Sequence, residues 1–159
     1  MPSLEERIQV LEDREAIREL IANYCRGVDG RDEDLFMSLW TDDAKYLLGG
    51  PFGDFEGTEQ IHGILHGLWS AFTEMHHWAT NVVIEIDGDH ARAWCNADVT
   101  GTDTLGRALM LAASYTDQLR RVSAGPAGWK FTIRDINLHY MTPVLQPWSN
   151  DPDTRFTEL

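Results

Sequence analysis

A chain of 159 residues, 43% hydrophobic and 25% charged, has the size and balance of one soluble globular domain that buries its core without staples. Its net charge of −13 and pI near 4.7 repel phosphate backbones and anionic lipid, which excludes nucleic acid and membrane surfaces as expected partners. No apolar run approaches the ~18 residues of a membrane span, and the charged start MPSLEERIQVLEDRE lacks the apolar segment of a signal peptide. The expected location is a reducing cytoplasm, where Cys25 and Cys95, in no metal or redox spacing, are core thiols.

The chain opens with Ser3-Leu4-Glu5-Glu6, a capping box. Apolar residues then recur at helical spacing, at Ile8, Leu11, Ile17, Leu20, Ile21, Tyr24, Cys25 and Val28, which predicts one long helix ending near Val28. Gly27 and Gly30 bracket that end, and DGRDED reads as a loop. A short helix over DEDLFMSLW turns Leu35, Phe36, Leu39 and Trp40 inward. TDDAKYLLGG follows as a turn and a strand. A third helix begins near Thr58, whose Thr58-Glu59-Gln60 opening suits a cap, and runs through Ile61, Leu65 and Leu68 to about Phe72.

The second half changes character. HWATNVVIEID, HARAWCNADVTGTD, RALMLAASYTDQLRRV and WKFTIRDINLHYM are long strand-like segments separated by tight turn signals, and the tail from Thr142 reads as irregular. Helices first and a run of strands second predict a single α+β domain over 1–159, with the helices on one face of a curved, mostly antiparallel sheet.

Chemistry-bearing residues gather around the first helix and the later strands. Asp29 continues the buried ridge of Ile21 and Cys25, so it either caps the helix end or sits half-buried and needs a partner. His77 is the natural one. A carboxylate on one imidazole nitrogen fixes the tautomer and leaves the other nitrogen free to take a proton. Strand alternation places His77, Ala79, Asn81, Val83 and Glu85 on one face, and Trp78, Thr80, Val82, Ile84 and Ile86 on the other, against a helix or a subunit. His76 points away and is structural on this reading.

Trp94, Asn96 and Asp98 share another polar face. Arg134 shares a face with Ile136, Leu138 and Tyr140 and is either a rim ion pair with Asp98 or Glu85 or a stabiliser of negative charge. Tyr24 and Tyr46 could each bring a phenol to a pocket mouth or simply pack in the core. His62 and His66 have the i, i+4 spacing of zinc ligands, but HGILHG offers no third ligand, so no metal is expected. Nucleotide-binding and serine-hydrolase motifs are absent from the sequence.

The segments YCRGVDGRD, LFMSLWTDDAKY, HHWATN and GWKFTIRDINLHYMTP resemble the SnoaL-like branch of the nuclear-transport-factor-2-like superfamily, from about Glu6 to Pro143. The resemblance implies a cone-shaped α+β barrel, a trimer and no cofactor. In the dehydrochlorinase members, positions matching Asp29, His77 and Arg134 are implied to orient the base, abstract the proton and stabilise developing charge. The sequence departs at Tyr24, where those members carry a lysine implicated in the leaving group. Dehydratase members match through Tyr24 with Asp29 and through Asp98 after Trp94, and others through the Asp–His pair and a strand tyrosine like Tyr46.

The expectation is therefore a cofactor-independent lyase of dehydratase type acting on a hydrophobic cyclic small molecule. His77 is the base, Asp29 its orienter, Tyr24, assisted by Asp98 or a water, the acid, and Arg134 the charge stabiliser. Tyr46, Trp40, Phe52, Trp69, Trp94, Asn96 and Tyr140 are expected to line the pocket. A double-bond isomerase or dehydrochlorinase would use the same scaffold, and a non-catalytic binding protein is the reading from another class.

Overall fold

A computed structural model describes residues 2–125 and 128–144. Helix α1 spans Leu4–Asp29, and its capping box forms as the sequence predicts, Ser3 and Glu6 each accepting from the other's backbone N–H. The buried ridge is Ile17, Leu20, Ile21, Tyr24, Cys25 and Val28, whereas Ile8 and Leu11 are exposed, so only the later turns of α1 reach the core. Helix α2, Glu33–Ser38, folds back onto that end. Gly27 makes the approach possible, because a Cβ there would lie 2.9 Å from Cβ of Phe36.

Six strands form one sheet in the order β2-β1-β6-β5-β4-β3. They are β1 Trp40–Gly49, β2 Gly53–Glu56, β3 Phe72–Asp87, β4 His90–Asp103, β5 Ala108–Arg121 and β6 Trp129–Pro143. β2 has no counterpart in the sequence reading. Its partner β1 also pairs in parallel with β6, joining the first strand to the last, while the other pairings are antiparallel. Helix α3, Thr58–Ala71, connects β2 to β3. Its N-cap is Gly57 at φ +80, without a side-chain cap, rather than Thr58. β6 continues through Thr142 and Pro143, both paired with β5, so these two residues are strand where an irregular tail was expected. The remainder of the expected tail, LQPWSNDPDTRFTEL, lies outside the described residues.

Two interruptions of pairing decide which side chains face inward. In β3, Met75, His77 and Ala79 turn toward the core side. Asn81 then adopts φ +57 and the register with β4 shifts between Thr80 and Val83. Beyond this bulge the inward set is Val82, Ile84 and Ile86, and Val83 and Glu85 are exposed. A single alternation from His77 to Glu85 is therefore corrected: Asn81 is the hinge of the bulge, not a pocket residue. In β6, Ala112 pairs with Tyr140 but Ala113 with Leu138, which leaves His139 unpaired. Met141, rather than Tyr140, then joins Ile136 and Leu138 along the cavity.

Candidate active site

The last turn of α1 presents Asp29 to the strand that carries His77. One carboxylate oxygen accepts the His77 backbone N–H at 2.7 Å and the other lies 2.5 Å from Nδ1. The two side chains are largely enclosed. Holding the residue by backbone and ring together fixes both the strand and the imidazole plane, and it assigns Nδ1 to the carboxylate and Nε2 to whatever occupies the cavity. His76 turns the other way, to Glu74 at 3.0 Å, in an exposed pair.

Beside this dyad lie buried phenols. The hydroxyls of Tyr24 and Tyr46 are 2.6 Å apart, and the Tyr24 ring stands edge-on to His77 with centroids 6.1 Å apart. Burial, reinforced by its tyrosine neighbours Tyr46 and Tyr115, pushes the Tyr24 hydroxyl well above the usual phenol value. Burial also raises Tyr46, and raises Tyr115 well above that range. The phenols therefore stay protonated at neutral pH and act as donors. Burial raises the thiols too, Cys95 to about 11, so neither cysteine is an activated nucleophile.

Arg134 is not at a rim. It is 0% exposed, and Nε and one terminal nitrogen donate to the two oxygens of Asp117 at 2.8 and 2.7 Å. Asp117 is its directly opposed residue on β5. The guanidinium carbon lies 4.1 Å from the centroid of Tyr24, 4.3 Å from Phe131 and 4.7 Å from Tyr115. Burial works against its charge, but the Asp117 charge and hydrogen bonds outweigh that and hold its pKa above the ordinary value. The expected partners Asp98 and Glu85 are both exposed. Arg134 thus lies behind the cavity wall, supporting the tyrosine that faces inward.

The wall encloses a cavity of about 120 Å³. Tyr24, Tyr46, Tyr115 and His77 bring its polar atoms, and apolar side chains such as Leu68, Phe72, Met75 and Leu111 supply most of the remainder. Of the expected lining, Tyr46 and Phe52 are present. Trp40 is buried in the aromatic core beneath, and Trp69 donates its indole N–H to the Val28 carbonyl at 2.8 Å. Asn96 and Asp98 project outward with the half-buried Trp94, because the inward face of β4 is the small-residue set Ala91, Ala93, Cys95, Ala97 and Val99. Those small side chains leave room on the concave side, and their alternation was a visible signal for it. Tyr115 and Asp117 were likewise visible as inward members of the stripe Leu109, Ala113, Tyr115, Asp117 and Leu119.

The sequence matches the SnoaL-like domain family over residues 9–135. The chain belongs to that family. Gamma-hexachlorocyclohexane dehydrochlorinase of Sphingobium indicum is 30% identical to this SnoaL-like protein over 137 residues, 84% of this chain and 85% of its own. The crystal structure of a type 2 hexachlorocyclohexane dehydrochlorinase superposes with a TM-score of 0.80 at 26% identity, covering 92% of this chain and 98% of that one. A type 3 enzyme from Novosphingobium barchaimii gives 0.78 at 25% identity over 90% and 97% of the two chains. The six-stranded sheet and its helices are accordingly the cone-like α+β fold of these neighbours.

Away from the cavity, the SnoaL-like protein supplies what HGILHG lacked. Glu33 of α2 reaches both histidines of α3, at 3.0 Å from His62 and 2.7 Å from His66. Those hydrogen bonds hold the Glu33 carboxyl below its usual value. Among the described residues, no helix is long and apolar enough to cross a membrane.

Proposed function

We propose that this SnoaL-like protein is a cofactor-independent lyase that eliminates water from a small, apolar cyclic substrate. The observation that carries the reading is the cavity wall itself: a histidine held by both oxygens of one carboxylate, facing a buried and protonated tyrosine pair. His77 Nε2 takes the proton from carbon. The C–H electron pair becomes the second bond of the new C=C, and the C–O bond on the neighbouring carbon breaks. The departing oxygen accepts a proton from the Tyr24–Tyr46 pair and leaves as water, and the proton on His77 returns to the phenols through solvent.

The leaving group decides between water and halide. A hydroxyl needs a proton as it departs, which a neutral phenol supplies. A halide needs none and is helped by an adjacent cation. Here the buried cation nearest the site is already neutralised by Asp117 and screened by the Tyr24 ring. The volume favours one ring over several, since cavities of about 150 Å³ hold a benzene-sized molecule. Arg134 is a positioning residue on this reading. A second reading, chloride elimination, is favoured by the names of the 30%-identical relatives.

The deciding experiment is a panel of hydroxylated and chlorinated cyclohexane derivatives, followed for water loss, chloride release and double-bond migration. Water loss that disappears in His77→Gln while ligand binding persists supports the proposal. Chloride release alone supports the second reading. Migration without loss of a group makes the protein an isomerase, and binding without turnover makes it a carrier.

We further propose that the protein assembles as a homotrimer. Trp78 and Val83 remain 52% and 56% exposed on the outer sheet face, and Leu4, Ile8 and Leu11 are exposed on α1, which is more apolar surface than a lone domain needs to show.

A further inference from the structure

The histidine pair on α3 has a third member on another element, and the three converge. His62 and His66 lie one turn apart, with ring centroids 4.5 Å apart and planes inclined at 52°. Both Nε2 atoms point at Glu33, one to each carboxylate oxygen. The ligand atoms of the three residues all lie within 4.8 Å of one another. We propose that Glu33, His62 and His66 form a binding site for a divalent late-transition cation of the zinc class, which ties α2 to α3.

The donor set chooses the ion. Two imidazole nitrogens and one carboxylate form a borderline-soft set that suits zinc, cobalt, nickel or copper, whereas magnesium and calcium take nearly all their ligands as oxygen. Three protein ligands leave a position for water, and the side chains are 44–51% exposed, so solvent reaches the ion. A cation replaces two hydrogen bonds that already draw the groups together, and little rearrangement is required.

The surroundings hold the ligands in place. Glu33 begins α2 directly after the N-cap Asp32, whose side chain accepts the Leu35 N–H at 3.0 Å. Arg31 adopts φ +53 and donates to the carbonyls of Trp69 and Phe72, docking the same loop on the end of α3. The Trp69 ring stands edge-on to His66 at 5.3 Å. This loop starts from Asp29, so the ion would brace the segment that carries the carboxylate behind His77. The metal proposal itself does not depend on the lyase reading.

The test is a cobalt(II) titration of chelator-treated full-length protein, read by visible absorption, with zinc as competitor and circular dichroism as the check on folding. Wild type should bind one cobalt per chain at about 10 µM or tighter, with tetrahedral d–d bands that zinc removes and magnesium leaves unchanged. Glu33→Gln and His66→Gln should each weaken binding at least about tenfold while keeping the wild-type dichroism. His76→Gln, which alters the exposed histidine beside Glu74, should bind as wild type does. Absence of binding in wild type, or wild-type affinity in the two ligand variants, overturns the site. The second outcome would place the ion elsewhere, on His76 or on the Asp29–His77 pair.

Discussion

His77 depends on Asp29 twice, through its backbone and through its ring. That pair was legible because a helix ridge continued past Val28 onto a carboxylate, and one histidine of HHWATN shared an alternation with Ala79. His77→Gln should lower kcat/KM by about 10²–10⁴, the usual worth of a positioned base, with substrate affinity by equilibrium dialysis retained. Tyr24→Phe tests the acid. It leaves the Tyr46 hydroxyl buried without its partner, at a cost of about 1 kcal/mol in denaturant unfolding. It should slow water loss more than tenfold, and leave chloride release from a chlorinated analogue within about twofold, because halide departs without a proton. Equal losses for both leaving groups would remove Tyr24 from the acid role. Arg134 was harder to read. Its partner stood on the apolar stripe of β5, where an aspartate between Tyr115 and Leu119 marks a buried pair, but only the β5–β6 register says with whom it pairs.

Between elements, the polar tie of most consequence joins the middle of α1 to the ends of β5 and β6. Asp13, buried at 2% exposure, accepts from two nitrogens of Arg121 at 2.8 and 2.7 Å and from the Trp129 indole at 3.1 Å. The Arg121 hydrogen bonds outweigh burial and hold its carboxyl below the ordinary 3.8. A depressed folded pKa contributes stability that is complete above the unfolded value and is lost as pH falls through the folded one. Asp13→Asn should therefore destabilise the protein by about 3 kcal/mol at pH 7, and its unfolding free energy should fall less steeply than wild type below pH 4. Urea titrations at pH 7 and pH 3 measure both, and parallel acid limbs would contradict the assignment. None of this was visible in the sequence. Asp13 lies in a charged stretch of helix, and its partners Arg121 and Trp129 are more than a hundred residues away. The bulge at His139 was equally hidden, since a period-two reading assumes unbroken pairing, and it is why Tyr140 was expected where Met141 stands.

At the scale of the molecule, the order of helices before strands made the α+β class legible. Composition could not reveal the parallel pairing of β1 with β6, which joins strands from opposite ends of the chain. The outer sheet face carries the prediction that belongs here. Wild type at about 10 µM should sediment at three times the monomer mass. Trp78→Glu, which puts a charge into the proposed interface, should shift it toward monomer with unchanged far-ultraviolet dichroism. A monomeric wild type would leave Trp78 and Val83 as ordinary surface and remove the trimer.

Asn81 behaves as a frameshift written in three dimensions. One left-handed residue lets a single strand obey two reading frames, the first sending His77 and Ala79 into the barrel and the second sending Val82, Ile84 and Ile86 there. The residues around the histidine and the residues that anchor the rest of β3 to the core therefore follow separate alternations. Straightening that one residue into regular pairing, without removing it, would merge the frames and turn Ile84 and Ile86 out to water.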